Sequence, residues 1–249
     1  MILRRLSEHV REQNWTAIAL DFLVVVLGVF IGLQAQQWNE RRMDAARGQA
    51  YLHSLASDFD VITARLEDGQ ATFRISVESA ELLLLALAVH NGESDAPMPS
   101  EDDLAGAAIG IGAGRVPSGP AATFEEMVSR GDLALLQNTE LRNLLFEYAE
   151  FASIARDAWR TIRQEYVENR TAMGGLVQVD IGFEENGDTT TSPTAFDDQR
   201  FFSDPDIPGH LTMIQMVQLN NYQLLVTQLR IAEEIEALIA EELGETVTD

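Results

Sequence analysis

Four histidines, at positions 9, 53, 90 and 210, are the side chains best suited to move protons near neutral pH or to ligate a transition metal, yet no two share a helical turn. Neither a zinc site nor a histidine-centred triad is therefore written locally. There is no cysteine, which removes a thiolate nucleophile, a cysteine-ligated metal centre and a disulfide framework together. Gly-x-Ser-x-Gly, a Walker loop and His-Glu-x-x-His are also missing from the sequence. Gly110, Gly112 and Gly114 have the spacing of a phosphate loop, but no strand pattern precedes them and no lysine follows, so the segment reads as a flexible connector. Asp197, Asp198, Asp204 and Asp206 crowd one irregular stretch without matching a calcium loop, and read as a solvated acidic loop. The chain is accordingly expected not to be an enzyme and to need no cofactor or metal.

One polar pattern remains. Gln218, Asn221 and Gln228 fall on a single stripe of the last predicted helix. Three amides so placed either line a polar pocket, fix the register of helix pairing, or are ordinary partly exposed side chains.

Charge narrows the partners. All 17 basic residues are arginine, against 40 acids, for a formal net charge of -23. Such a surface repels phosphate backbones, which argues against nucleic acid. The first 50 residues hold six of the arginines, so the remainder is near -24 by itself.

That leading segment has a membrane anchor's layout. Thr16 to Leu33 is apolar except for Asp21, and at 1.5 Å per residue a helix over 16–37 spans a hydrocarbon core of about 30 Å. Trp15 and Trp38 flank it, with Arg41 and Arg42 just beyond as interfacial anchors and Arg4, Arg5 and Arg11 in a short basic leader, 1–15. No small-residue cleavage site follows the run, which favours an uncleaved anchor over a signal peptide. Gly28 and Gly32, four apart, present one small-residue face for packing against another membrane helix.

Elements beyond the anchor are mainly helical. Leu52, Leu55, Phe59, Ile62, Leu66, Phe73, Val77, Ala80, Leu84 and Leu87 repeat at three and four, predicting a long amphipathic helix continuous with the membrane helix and broken at His90-Asn91-Gly92. A short helix starts at Ser100, and a Thr123-x-x-Glu126 capping box opens another that closes near Gly131. Asn138 or Thr139 caps a long helix with core face Leu141, Leu144, Leu145, Tyr148, Phe151, Ala155, Trp159, Ile162 and Tyr166. Alternation over Leu176–Phe183 and the turn pair Asn186-Gly187 predict a β-hairpin within an insertion at about 175–207. A last helix runs from near Pro208 to Gly244. Three long helices with one apolar stripe each bury those stripes against one another, giving an up-down-up bundle as the domain 38–249. Leu82 to Val89, apolar at nearly every position, is the expected leftover exposed strip.

Two stretches resemble a family of uncharacterised bacterial single-pass membrane proteins classed as a domain of unknown function. The first is the membrane exit, where the apolar helix runs into Trp38-Asn39-Glu40; the second carries Thr123 to Glu126, Ser129 to Gly131, and Asn138 to Arg142. The resemblance implies an anchored helical domain and adds no catalytic residue. Together these features predict a bacterial inner-membrane protein with its acidic domain outside the cytoplasm. Its role would be that of an interaction or scaffold protein, an accessory subunit or homo-oligomer with membrane-protein partners. The alternative is an extracytoplasmic module that senses a small ligand.

Overall fold

The computed structural model describes residues 15–183 and 189–244, apart from the side chains at 15–19, 21, 161, 162 and 165. Helix α1 is Trp15–His90, α2 Glu101–Gly110, α3 Ala122–Arg130, α4 Thr139–Ala172, α5 Asp198–Ser203 and α6 Ile207–Leu243; strands β1, Val177–Phe183, and β2, Thr189–Phe196, form a two-stranded sheet. The chain divides into two compact units, Met1–Ala50 and Tyr51–Asp249, a boundary thirteen residues beyond the end of the membrane helix expected over 16–37, with α1 passing unbroken through it.

In the first unit, α1 is apolar on every side between Phe22 and Leu33. Phe22 through Leu27, Val29, Phe30, Ile31 and Leu33 are all about half exposed or more. Among the described residues no helix is long and apolar enough to cross a membrane. Phe22–Leu33 by itself reaches only about 18 Å. The predicted span starts six residues earlier, where all side chains but that of Leu20 lie outside the described set.

The second unit is built on heptads. Along α1 of this unit, Leu52, Leu55, Phe59, Ile62, Leu66, Gly69, Phe73, Ser76, Ala80, Leu83 and Leu87 are buried and alternate by three and four, with Ala86 buried beside the last of them. In α4, Leu141, Leu145, Tyr148, Ala152 and Ala155 do the same, and in α6 Leu211, Ile214, Gln218, Asn221, Leu225, Gln228, Ala232, Ile235 and Ile239. A 3.5-residue period keeps each seam facing its partners as the helices coil left-handedly. Along α1 it also corrects two expected core positions, Val77 and Leu84, which are half-buried with Ser76 and Leu83 in their places; Leu144, Phe151 and Trp159 of the expected α4 face are likewise half-buried and pack against the core. Ile162, expected in the α4 core, has its side chain outside the described residues.

Helix direction overturns the up-down-up expectation. Phe59 packs on Tyr148 and Phe73 on Trp159, with ring centroids 5.2 and 5.8 Å apart, so α4 ascends beside this part of α1 in the same direction. α6 descends against both: Thr63 donates to Glu236, Gln218 to Ser76, and Gln228 to Tyr148. The descending element between α1 and α4 is the connection itself. Its carbonyl of Ile111 accepts from Ser76, Arg115 pairs with Asp68, the Thr123 N–H donates to Asp58, and Asp132 accepts from Tyr51. The 48 residues from 91 to 138 therefore travel the length of the bundle, and a helix reached by so long a return need not be antiparallel to its predecessor.

Local signals explain most ends. Ser100 and Asp103 form a capping box on α2, Asn138 accepts from the N–H groups of Glu140 and Leu141 on α4, and Gly131 and Gly244 close α3 and α6 with φ of 74° and 72°. The box expected at Thr123-Glu126 is not made. Ala121 is the α3 N-cap, without a side-chain bond, and Asp58 of α1 accepts the Thr123 N–H at 2.8 Å instead. Asp58→Ala is expected to cost about 1 kcal/mol, read as a lower thermal midpoint, because it orphans that N–H.

The hairpin forms as expected from β1, with a bulge between Gln178 and Val179; its turn, including Asn186 and Gly187, lies outside the described residues. One face is left bare, with Val179, Ile181 and Phe183 exposed, the last at 82%. Leu82–Val89 is not the bare strip. Leu83, Ala86 and Leu87 are buried in one cluster with Leu104, Ala105 and Ala107 of α2, and Leu82 and Leu84 pack against it. A short helix rich in small residues covers what three long stripes could not.

Candidate functional site

The amides of α6 sit inside the bundle. Gln218 and Gln228 are fully buried and Asn221 nearly so, which excludes ordinary partly exposed side chains. The Gln218 Nε2 donates to Ser76 Oγ at 3.1 Å and to the Ala113 carbonyl at 2.8 Å, while its Oε1 accepts from Asn221 Nδ2 at 3.2 Å. Ser76 in turn donates to the Ile111 carbonyl at 2.9 Å, as does the Tyr166 hydroxyl. This polar layer lies between two apolar clusters, one containing Phe73 and Leu225, the other Ala80, Ile214 and Val217. Ten residues further along α6, Gln228 Nε2 donates to the Ser118 carbonyl at 2.9 Å and to the Tyr148 hydroxyl at 3.0 Å. Burial drives the Tyr148 phenol far above its usual range, against the opposing effects of Gln228 and Arg156, so it is a neutral hydroxyl at any physiological pH. The Oδ1 of Asn221 and the Oε1 of Gln228 have no protein partner among the described residues.

Both amide sets grip the same segment. The glycine-rich stretch 109–120, expected to be a flexible connector, is held by its carbonyls at Ile111, Ala113 and Ser118, and Pro117 is buried within it. Its glycines admit neighbours a side chain would displace. A Cβ on Gly112 would lie 2.6 Å from the Arg170 guanidinium, one on Gly114 would lie 3.1 Å from Phe73, and one on Gly119 would collide with Arg156. Glycine here serves close approach rather than turn conformation, since none of the three has positive φ. The outer face of the segment walls a groove of about 370 Å³ lined by Arg65, Asp68, Arg115, Val116, Pro117, Ser118 and Gly119. Arg115 Nε meets Asp68 at 2.5 Å, both side chains being more than half exposed. No sequence motif marks this groove; its basic residues come from positions 50 apart and are joined only by the return path of the chain.

The other predicted site residues are placed as follows. Gly28 and Gly32 lie on α1 with nothing within 4 Å of an added Cβ at either. Trp38 is 65% exposed and the Arg42 guanidinium stacks 6.0 Å from its ring; Arg41 is exposed, and the Trp15 side chain lies outside the described residues. Of the aspartates near 200, Asp197 caps α5 by accepting the Arg200 N–H, and Asp204 accepts from Asp206 N–H. Among the described residues no three His, Asp or Glu side chains are grouped to hold a metal. His90 stacks on Phe202 and His210 Nδ1 is 2.8 Å from Asn169 Oδ1.

One acid on α6 is strained by its surroundings. Partial burial raises the Glu236 carboxyl above its ordinary range, Asp60, Glu233 and Glu67 raise it further, and only the Thr63 hydroxyl at 3.0 Å opposes them. A folded-state value above the unfolded one means the native protein holds the proton more tightly, so stability falls as pH rises past the ordinary carboxylate range. Glu236→Gln should therefore raise the thermal midpoint at pH 7, and that advantage should shrink towards pH 4, which a pH series of melting curves would show.

No family model matches the chain, no curated protein matches it, and no solved structure matches its fold.

Proposed function

We propose that the chain is a membrane-anchored helical interaction protein, an accessory subunit of a bacterial envelope assembly, held in the inner membrane by the helix over 16–37 with its acidic domain outside the cytoplasm. The observation that carries this reading is the helical run from Phe22 to Leu33, apolar around its whole circumference and exposed throughout. A helix hydrophobic on all sides is stable in lipid or inside a large core, not in water. Trp38 with Arg42 stacked on it forms an amphipathic pair of the kind found at a membrane–water interface. Gly28 and Gly32, open on one face, are the contact we assign to a neighbouring membrane helix. The resemblance carried by Trp38-Asn39-Glu40 points the same way. The bare hairpin face of Val179, Ile181 and Phe183 is the surface we assign to the partner subunit.

Alkaline carbonate extraction of native membranes is the test. The full chain should stay in the pellet, and Val25→Arg with Phe30→Arg should release it; recovery of the unaltered chain in the supernatant would sink the anchor. Mild-detergent pull-down followed by mass spectrometry then tests the accessory role. A stoichiometric companion lost in Ile181→Thr with Phe183→Ser, at unchanged melting temperature, supports it, whereas recovery of the chain alone replaces it with a homo-oligomer.

A further inference from the structure

We propose that the groove beside the glycine-rich segment binds a compact oxyanion, a phosphate or carboxylate group borne on a small molecule, between the guanidiniums of Arg65 and Arg115. The proposal does not depend on the anchor.

Charge placement is the first argument. Beyond residue 50 acids outnumber arginines by about three to one, yet the groove wall holds two arginines and one acid, with Arg156 against its Gly119 and Arg170 against Gly112 one turn of chain away. Four of the eleven arginines of this region thus meet one twelve-residue segment. Among the described residues, Arg65, Arg156 and Arg170 make no ion pair. Two guanidiniums lining one groove repel each other unless an anion joins them.

The second argument is the Arg115–Asp68 pair. Arg115 Nε already holds a carboxylate oxygen at 2.5 Å, supplied by Asp68 from within the chain, in the place an external oxyanion would take. With both side chains exposed, that internal contact is weak and exchangeable. An incoming oxyanion would displace Asp68 from Arg115 and gain Arg65 as a second fork.

Rigidity is the third. The wall of the groove formed by Val116–Gly119 is fixed from inside by Gln228 on the Ser118 carbonyl, with Gln218 on Ala113 just upstream and Pro117 buried between them. The backbone of this wall therefore needs little ordering on binding, which is left to the two arginine side chains. About 370 Å³ is within the range of small-molecule sites and suits a metabolite rather than a polymer.

The experiment uses the full chain in neutral-detergent micelles, titrated calorimetrically with inorganic phosphate and with citrate, and in phosphatidylcholine nanodiscs with and without phosphatidate. Saturable binding of phosphate or citrate identifies a soluble ligand, and binding only to phosphatidate discs identifies a lipid headgroup. Either supports the site if Arg65→Gln with Arg115→Gln weakens binding at least tenfold while circular dichroism stays unchanged. Asp68→Asn should tighten binding several-fold by removing the internal competitor, a gain that a merely structural Asp68 would not produce. Should the double variant alter the fold, Arg65→Gln alone serves, since its side chain is exposed. Absence of saturable binding to all probes, or binding unchanged by the arginine substitutions, overturns the proposal.

Discussion

Phe73→Ala is expected to lower stability by about 3–5 kcal/mol, the range for deleting a fully buried aromatic ring. Phe73 has no exposed surface, meets Trp159 edge-on at an interplanar angle of 69°, and touches Gly114 of the return segment, so no single neighbour can collapse into the space. Against a total of about 5–15 kcal/mol for a domain, the loss is a large fraction. It corresponds to a drop in thermal midpoint on the order of 10 °C for a domain of this size. Phe146→Ala is the control: its ring also meets another edge-on, Phe124 at 5.1 Å, but is half exposed, and the expected loss is under about 1 kcal/mol. Melting curves of the two variants followed by circular dichroism decide the matter, and equal losses would mean that Phe73 is not the keystone its burial implies.

Gln218→Leu is the second large effect, expected at about 3 kcal/mol although the substitution makes the core more apolar. Leucine fills similar space but takes two donors and an acceptor out of the layer at once. The Ala113 carbonyl loses its amide donor, Ser76 loses one of its two bonds, and Asn221, whose Oδ1 is already unpartnered within the protein, loses the acceptor of its Nδ2. Each buried orphan costs about 1–3 kcal/mol. Adding Asn221→Leu removes one orphan by replacing it with apolar volume, so the double variant should be more stable than Gln218→Leu alone. A double-mutant cycle by chemical denaturation reads this directly. Strict additivity of two separate losses would show that the amides act independently rather than as one layer.

Much of the helical fold could be read from residue type and spacing because its causes are local. Ser100 with Asp103, Asn138, Gly131 and Gly244 mark ends through bonds within a few residues of themselves. The hairpin strand showed through alternation, and the long helices through their apolar period. What escaped was decided by groups distant in sequence. Ser76 is invisible in an apolar stripe because a hydroxyl does not count towards one, yet it occupies a heptad position and is fully buried. The three amides were visible as a stripe, but only the carbonyls of residues 113 and 118, more than a hundred positions away, could bury them. Glycines at 112 and 119 signalled flexibility in isolation, whereas Arg170 and Arg156 use the missing side chains as seats. Helix direction could have been inferred from length: 48 residues between α1 and α4 is far more than a hairpin connection needs.

The parallel course of α1 and α4 beyond residue 50 also bears on how the chain comes to be folded. Ser76 meets its partner 142 positions later, and Thr63 meets Glu236 173 positions later. Helical bundles usually close through neighbours in sequence and fold fast; this one must wait for its last helix. On the ribosome, at about 5–20 residues per second, the seam of α1 stays uncovered for roughly ten seconds or more until α6 emerges. Residues 51–206 carry 28 acids against 10 arginines, a charge near -18 that keeps such half-made chains apart through mutual repulsion.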